Sequence, residues 1–160
     1  MKKFGFGKSG KFTFEELQEK DVKKCAEIFL KNVGDKMKSR FRSREFVERL
    51  IYGPNIITIV SKKNDKIAGL VCGSAAIPPN IAFLHVFDKE GVRAGLEGML
   101  IDKFIETVKK KLPQASSVTA TIPAESNIAV SFYSYKGFRV CGFIRGGEEQ
   151  TDLVIMRKSI

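Results

Sequence analysis

Only three cysteines occur in these 160 residues, Cys25, Cys72 and Cys141. They are widely spaced, odd in number and form no C-x-x-C pair, so neither a disulfide framework nor a zinc site is indicated. That usage suits a reducing, intracellular compartment. Long apolar runs are missing as well. "MKKFGFGKSGKF" has the positive start of a secretory signal but lacks the apolar stretch that follows in one. "IAGLVCGSAAIPPNIAF" is interrupted by two prolines and holds too many small residues for a membrane span. The expectation is a cytoplasmic protein with no membrane partner. Acidic residues are scarce beside basic ones, 18 against 28, for a net charge of +10. Such a surface attracts anions, whether nucleic acid, acidic lipid or a phosphate-rich cofactor, and it also simply solubilises. The lysines are scattered instead of gathered into a stripe, which counts against nucleic acid.

What is present describes one domain. At 43% hydrophobic and 29% charged, a chain of this length can bury roughly 70% of its unfolded surface. Residues 1–11 alternate glycine, lysine and phenylalanine and read as a flexible basic tail, with a single domain over 12–160. The tail contains "GFGKSG", which satisfies G-x-G-x-x-G literally. That motif and the P-loop both need a strand before the glycines and a helix after them, and only four residues precede Gly5. Both are rejected.

Along the domain, "KFTFEEL" alternates as a strand. Asp21 is placed to cap a helix running to about Gly34, and Ser43 to cap a second over "SREFVERLI". "NIITIVSKKNDKIAGLVCGSAA" reads as a hairpin turning at "KKND", and "NIAFLHVF" as a third strand after Pro78-Pro79. A long helix follows, with Leu96, Met99, Leu100, Phe104, Val108 and Leu112 on one face. "SVTATI" is a strand. "NIAVSFYSYKGF" is a helix capped by Ser126 or Asn127, with Ile128, Ala129, Phe132 and Tyr133 facing inward and Gly137 past its end. "FRVCGFI" and "TDLVIMRK" close the chain as two strands. The expected fold is α/β: a mixed, largely antiparallel sheet of six to seven strands with helices on both faces and one central parallel pair.

Glycines 91, 95 and 98, with Arg93 among them, bend the chain into the start of the long helix. A helix N-terminus of this kind binds phosphate through free N–H groups; the plainer reading is a turn that uses glycine for its φ angles.

"NIAVSFYSYKGF" resembles the N-x-x-A-x-x-x-Y-x-x-x-G-F signature of the GNAT superfamily of N-acetyltransferases. The matches are Asn127, Tyr133, Gly137 and Phe138, with Ala129 one residue early, and the layout from Phe12 to Lys158 is similar to that family throughout. The resemblance implies transfer of acetyl from acetyl-CoA to an amine in a ternary complex. It implies a pyrophosphate contact at Arg93, Ala94, Gly95, Leu96, Glu97 and Gly98, and an approach of Asn127 to the pantetheine arm. The family's [Q/R]-x-x-G-x-[G/A] motif is met imperfectly: Val92 stands at the Gln/Arg position and Glu97 at the Gly/Ala position, where a carboxylate would repel a pyrophosphate.

The chemistry needs an oxyanion contact, which backbone N–H groups near Val86 and Phe87 can supply. It needs a proton for the departing sulfur, and Tyr133 stands at the family's acid position with an unperturbed pKa of about 10. It needs a base, for which His85, the only histidine, has a suitable pKa but sits in an apolar strand where packing is the commoner role. Glu15 and Glu16 are poorer candidates, and water is another. A GNAT-fold binding or regulatory protein with a disabled phosphate loop is the second reading, and a small basic nucleic-acid-binding protein the third. The acceptor amine, a small molecule or a protein, stays unidentified, and both a monomer and a homodimer stay open.

Overall fold

The structure is a computed structural model that describes residues 12–32, 43–146 and 151–160. The expected basic tail, Gly34 as the end of the first helix and the "GEEQ" part of the last loop lie outside them. Seven strands form one sheet: β1 (Thr13–Glu16), β2 (Ile56–Lys63), β3 (Lys66–Ser74), β4 (Asn80–Val86), β5 (Ser117–Pro123), β6 (Arg139–Ile144) and β7 (Leu153–Ser159). Their spatial order is β1-β2-β3-β4-β5-β7-β6, antiparallel everywhere except between β4 and β5. The helices are α1 (Val22–Asn32), α2 (Arg44–Ile51), α3 (Lys89–Arg93), α4 (Leu96–Lys111) and α5 (Asn127–Tyr135).

Local chemistry accounts for most of these boundaries. Asn64 and Asp65 both adopt positive φ, 51° and 61°, the conformation a two-residue turn needs to match strand twist, and they join β2 to β3. The Ser43 hydroxyl accepts from the Phe46 N–H at 3.2 Å and caps α2. Asp21 differs from expectation. It ends a 3-10 turn (Glu19–Asp21) ahead of α1, and its carboxylate takes the Lys62 ammonium at 2.8 Å instead of capping the helix. The expected long helix stands as α4, and a short extra helix, α3, precedes it, set off by Gly95, whose φ of +73° is left-handed.

Two cores flank the sheet. One face packs against α4 and α5 through Leu96, Leu100, Phe104, Val108, Tyr133 and Phe138. The other packs against α1 and α2 through Phe29, Val47, Ile51, Leu70 and Cys72, and this second core contains no residue of β5, β6 or β7. Cys25 and Cys72 are buried free thiols, pushed up to about 12 and about 11 by loss of solvent, while Cys141 is exposed. Among the described residues no helix is long and apolar enough to cross a membrane.

One irregularity positions everything that follows. Cys72 pairs with Phe83 but Gly73 with Ile81, so Ala82 is an extra residue in β4. A bulge of this kind bends its strand and adds twist. Beyond it β4 leaves β5: the parallel ladder contains only Asn80↔Thr119 and Ile81↔Ala120. Gly73 permits the bend, since a Cβ there would stand 2.4 Å from the Asn80 carbonyl oxygen and 2.7 Å from the Phe104 ring. Gly73→Ala is therefore expected to cost about 2–3 kcal/mol, the upper range for overpacking. Urea unfolding should show a lower midpoint at unchanged slope; an unchanged midpoint would mean the bend does not depend on that space.

Candidate active site

The gap between β4 and β5 is lined by backbone. The Phe87 N–H donates to the Ala68 carbonyl at 2.7 Å, and it is therefore not available as an oxyanion donor. Hydrogen-bonding direction alternates along an antiparallel strand. With Gly69 opposite Val86, the N–H groups of Phe87 and His85 point to β3, and those of Val86 and Leu84 point into the gap. Of the two main-chain groups expected near the oxyanion, Phe87 is thus turned to β3, and Leu84 shares the direction of Val86.

The bulge also decides where His85 goes. Ile81 belongs to the α4 side, but after the extra residue Phe83 and Phe87 pack with the α1-side core. His85 shares that face. Its ring meets Phe29 edge-on, with centroids 5.0 Å apart, and lies parallel to Phe87 at 6.3 Å. Burial among these rings lowers its pKa below 6.5, and its ring nitrogens have no hydrogen-bond partner among the described residues. Glu15 and Glu16 are ion-paired, to Lys62 and Lys111 respectively.

Tyr133 lies on the other face. Helix α5 ends in a Schellman arrangement: Phe138 N–H donates to the Tyr133 carbonyl at 2.9 Å and Gly137 N–H to that of Ser134 at 3.0 Å, with Gly137 at φ +88°. The contact that usually accompanies this motif is the Tyr133–Phe138 ring pair, 5.1 Å apart and edge-to-face. The Y-x-x-x-G-F spacing is thus first a helix stop. The Tyr133 hydroxyl takes no part in it and has no partner among the described residues, and burial raises its pKa. Ile128, expected to face inward, is 87% exposed. Neither Ser126 nor Asn127 caps α5 through its side chain, and the exposed Asn127 amide has no partner among the described residues.

At the start of α4, the Leu96 and Glu97 N–H groups have no acceptor among the described residues; Gly95 N–H bonds the Val92 carbonyl and Gly98 N–H that of Gly95. Arg93 and Ala94 are exposed beside them. A Cβ on Gly95 would meet nothing within 4 Å, so the approach to these donors is open. The backbone fits a pyrophosphate, whereas the Glu97 carboxylate has the wrong sign. A lysine that the sequence reading did not single out stands nearby: the Lys136 ammonium lies 3.7 Å from where a Gly98 Cβ would be and is ion-paired to Asp102 at 2.8 Å. A separate cleft of about 620 Å³, lined by Glu16, Ile51, Tyr52, Thr58 and Lys111, lies at the opposite end of the sheet and brings none of these groups together.

The lowered pKa of His85 has a thermodynamic consequence. Below about pH 6.5 the unfolded chain binds a proton that the folded state resists, so stability falls as pH falls through that range. Chemical denaturation from pH 7 to pH 5 should show a shallower loss in His85→Phe than in the parent protein. Identical profiles would mean the ring is solvated.

No protein-family model matches this sequence, and no curated protein is similar to it. Solved structures are similar in shape. The Escherichia coli ribosomal-protein-S18-alanine N-acetyltransferase superposes with a TM-score of 0.73 at 17% identity, covering 94% of both chains. Arabidopsis thaliana NAA60, solved with a bisubstrate analogue, gives 0.72 at 15%, over 94% of this chain and 99% of that one. A Streptococcus pneumoniae acetyltransferase of the GNAT family gives 0.69 at 21%, over 94% and 99%. With seven strands, one parallel pair and a gap where that pair parts, the chain has the GNAT acetyltransferase fold.

Proposed function

We propose that this protein is an N-acetyltransferase that moves the acetyl group of acetyl-CoA directly to a primary amine. The observation that carries the reading is the parting of β4 from β5 after two residue pairs, because it leaves main-chain donors directed into a gap at the centre of the sheet.

Acetyl-CoA supplies an activated thioester. The Leu84 and Val86 N–H groups are aimed where a carbonyl oxygen gains negative charge, and fixed main-chain donors are effective there because they need no reorganisation. Tyr133 holds its proton at Oη throughout the neutral range, since burial raises its pKa, and gives it to the departing sulfur. His85 is neutral at pH 7 and its free ring nitrogen accepts the amine proton from the α1 face of the sheet. The Leu96 and Glu97 N–H groups hold pyrophosphate, with Arg93 and Lys136 supplying positive charge and Asn127 reaching the pantetheine arm.

The second reading, a GNAT-fold binding or regulatory protein without transferase activity, is favoured by one observation, the Glu97 carboxylate in the first turn of α4. Calorimetric titration with acetyl-CoA at two salt concentrations separates the two. Saturable micromolar binding, weaker at higher salt, is expected; no binding at either salt removes the enzyme reading. Tyr133→Phe should lower kcat by about 10²-fold, within the usual range for a proton donor, while acetyl-CoA affinity stays nearly unchanged. An equal loss of both would assign Tyr133 to packing alone.

A further inference from the structure

Past its bulge, β4 carries His85 on the α1 side, and the sheet continues beyond it into strands that α1 and α2 do not cover. The α1-side core reaches as far as Phe83 and Phe87 of β4 and takes in no residue of β5, β6 or β7. Alternation decides which side chains those strands turn to that face. Ala120, Ile122, Val154 and Met156 pack on the α4 side, so Thr121, Pro123, Leu153 and Ile155 share the side of His85.

Register also fixes their height along the sheet. Asn80 pairs with Thr119. His85 stands five residues further along β4, one of which is the extra Ala82, and Pro123 stands four further along β5. The two are therefore level. Pro123 pairs with Leu153, and Leu153 with Ile144. The row behind is Thr121, Ile155 and Gly142. The floor beside His85 thus consists of Pro123, Leu153, Ile144 and Ile155, none of them buried, with Ile144 at 43% exposure. Phe87, parallel to the His85 ring at 6.3 Å, extends the apolar surface onto β4. Neither row carries a charge. Arg157 and Arg139 stand one row further toward the closed end of the ladder. The Asp152 carboxylate, next to Leu153 in the chain, accepts the Gly146 N–H at 2.8 Å.

We infer that this floor seats the body of the acceptor, and that the acceptor is a primary amine with a large apolar group on the carbon next to its nitrogen. The inference deepens the transferase reading and rests on it for the position of the amine. An amine that gives its proton to His85 from the α1 face has its neighbouring carbon beside the Pro123–Leu153–Ile144 row. An apolar group there removes water from both surfaces. A polar or charged group at the same place loses its water and gains no partner, which disfavours it.

The test compares leucinamide with asparaginamide, whose side chains have nearly the same shape. Each is titrated by NMR into the isotope-labelled full-length protein saturated with CoA. Leucinamide should bind about 10-fold more tightly, the low end of what an apolar pocket discriminates. Leu153→Thr with Ile144→Thr should remove most of that preference, and threonine keeps the strand propensity of the site. Phe46→Thr with Ile77→Thr, which alters exposed apolar residues elsewhere, should preserve it. Ile144→Glu, at a position already exposed, should weaken leucinamide about 10-fold and keeps the test decisive if the double variant does not fold. Equal binding of the two amides, or binding of neither, overturns the inference. So does a preference that survives the changes at Leu153 and Ile144, or one lost in the Phe46 and Ile77 pair. Such a failure with acetyl-CoA binding intact leaves the transferase reading standing, whereas absence of acetyl-CoA binding removes that reading and this inference with it.

Discussion

The extra residue in β4 is the constraint on which the rest of the molecule depends. A sheet with an unbroken β4–β5 ladder would satisfy every main-chain group and leave no gap. Inserting Ala82 bends β4 away after two pairs and leaves the Leu84 and Val86 N–H groups unused. The unpaired donors would be costly if sealed from water and any ligand. They are tolerable at an opening where something polar can reach them. Gly73 makes the bend possible and Phe104 packs beneath it, so the core of the α4 side and the shape of the gap are one problem in packing.

In the proposed reaction Tyr133 joins a structural and a chemical role on one side chain. Its ring closes the Schellman motif with Phe138, and its carbonyl accepts the 2.9 Å bond that ends α5. None of this uses the hydroxyl. The packing holds the ring fixed and leaves the oxygen free, which is the preorganisation an acid needs. At the start of α4 the main chain supplies the donors, and Lys136, arriving from just past the end of α5, ties that helix to the α5 turn through Asp102.

Charge is distributed unevenly despite the scatter of lysines along the chain. Many cations are neutralised locally, in pairs such as Lys110–Glu106 and Lys103–Glu106 that matter little to stability on an exposed helix. The arginines of β6 and β7 are the contrast, since register sets them opposite each other with no ion-paired acid among the described residues.

The order of strands and helices, the turn at Asn64-Asp65, the cap at Ser43 and the stop at Gly137 were legible in the sequence. Each depends on local preferences: positive φ, a hydroxyl before a helix, apolar residues at a regular period. The signature around Tyr133 was legible for the same reason, because a helix end is written in consecutive residues. Asp21, Ile128 and Phe87 were misread because their partners are distant: Lys62 across 41 positions, the solvent beside α5, and a carbonyl on β3. The side of the sheet occupied by His85 could not be read at all. A period-2 pattern gives alternation but not phase once a bulge intervenes, and a bulge appears only when two strands are laid side by side. The sequence by itself determined which segments are helix and which are strand; the tertiary structure decided which faces, donors and charges meet, because pairing register is a property of two segments and is written in neither alone.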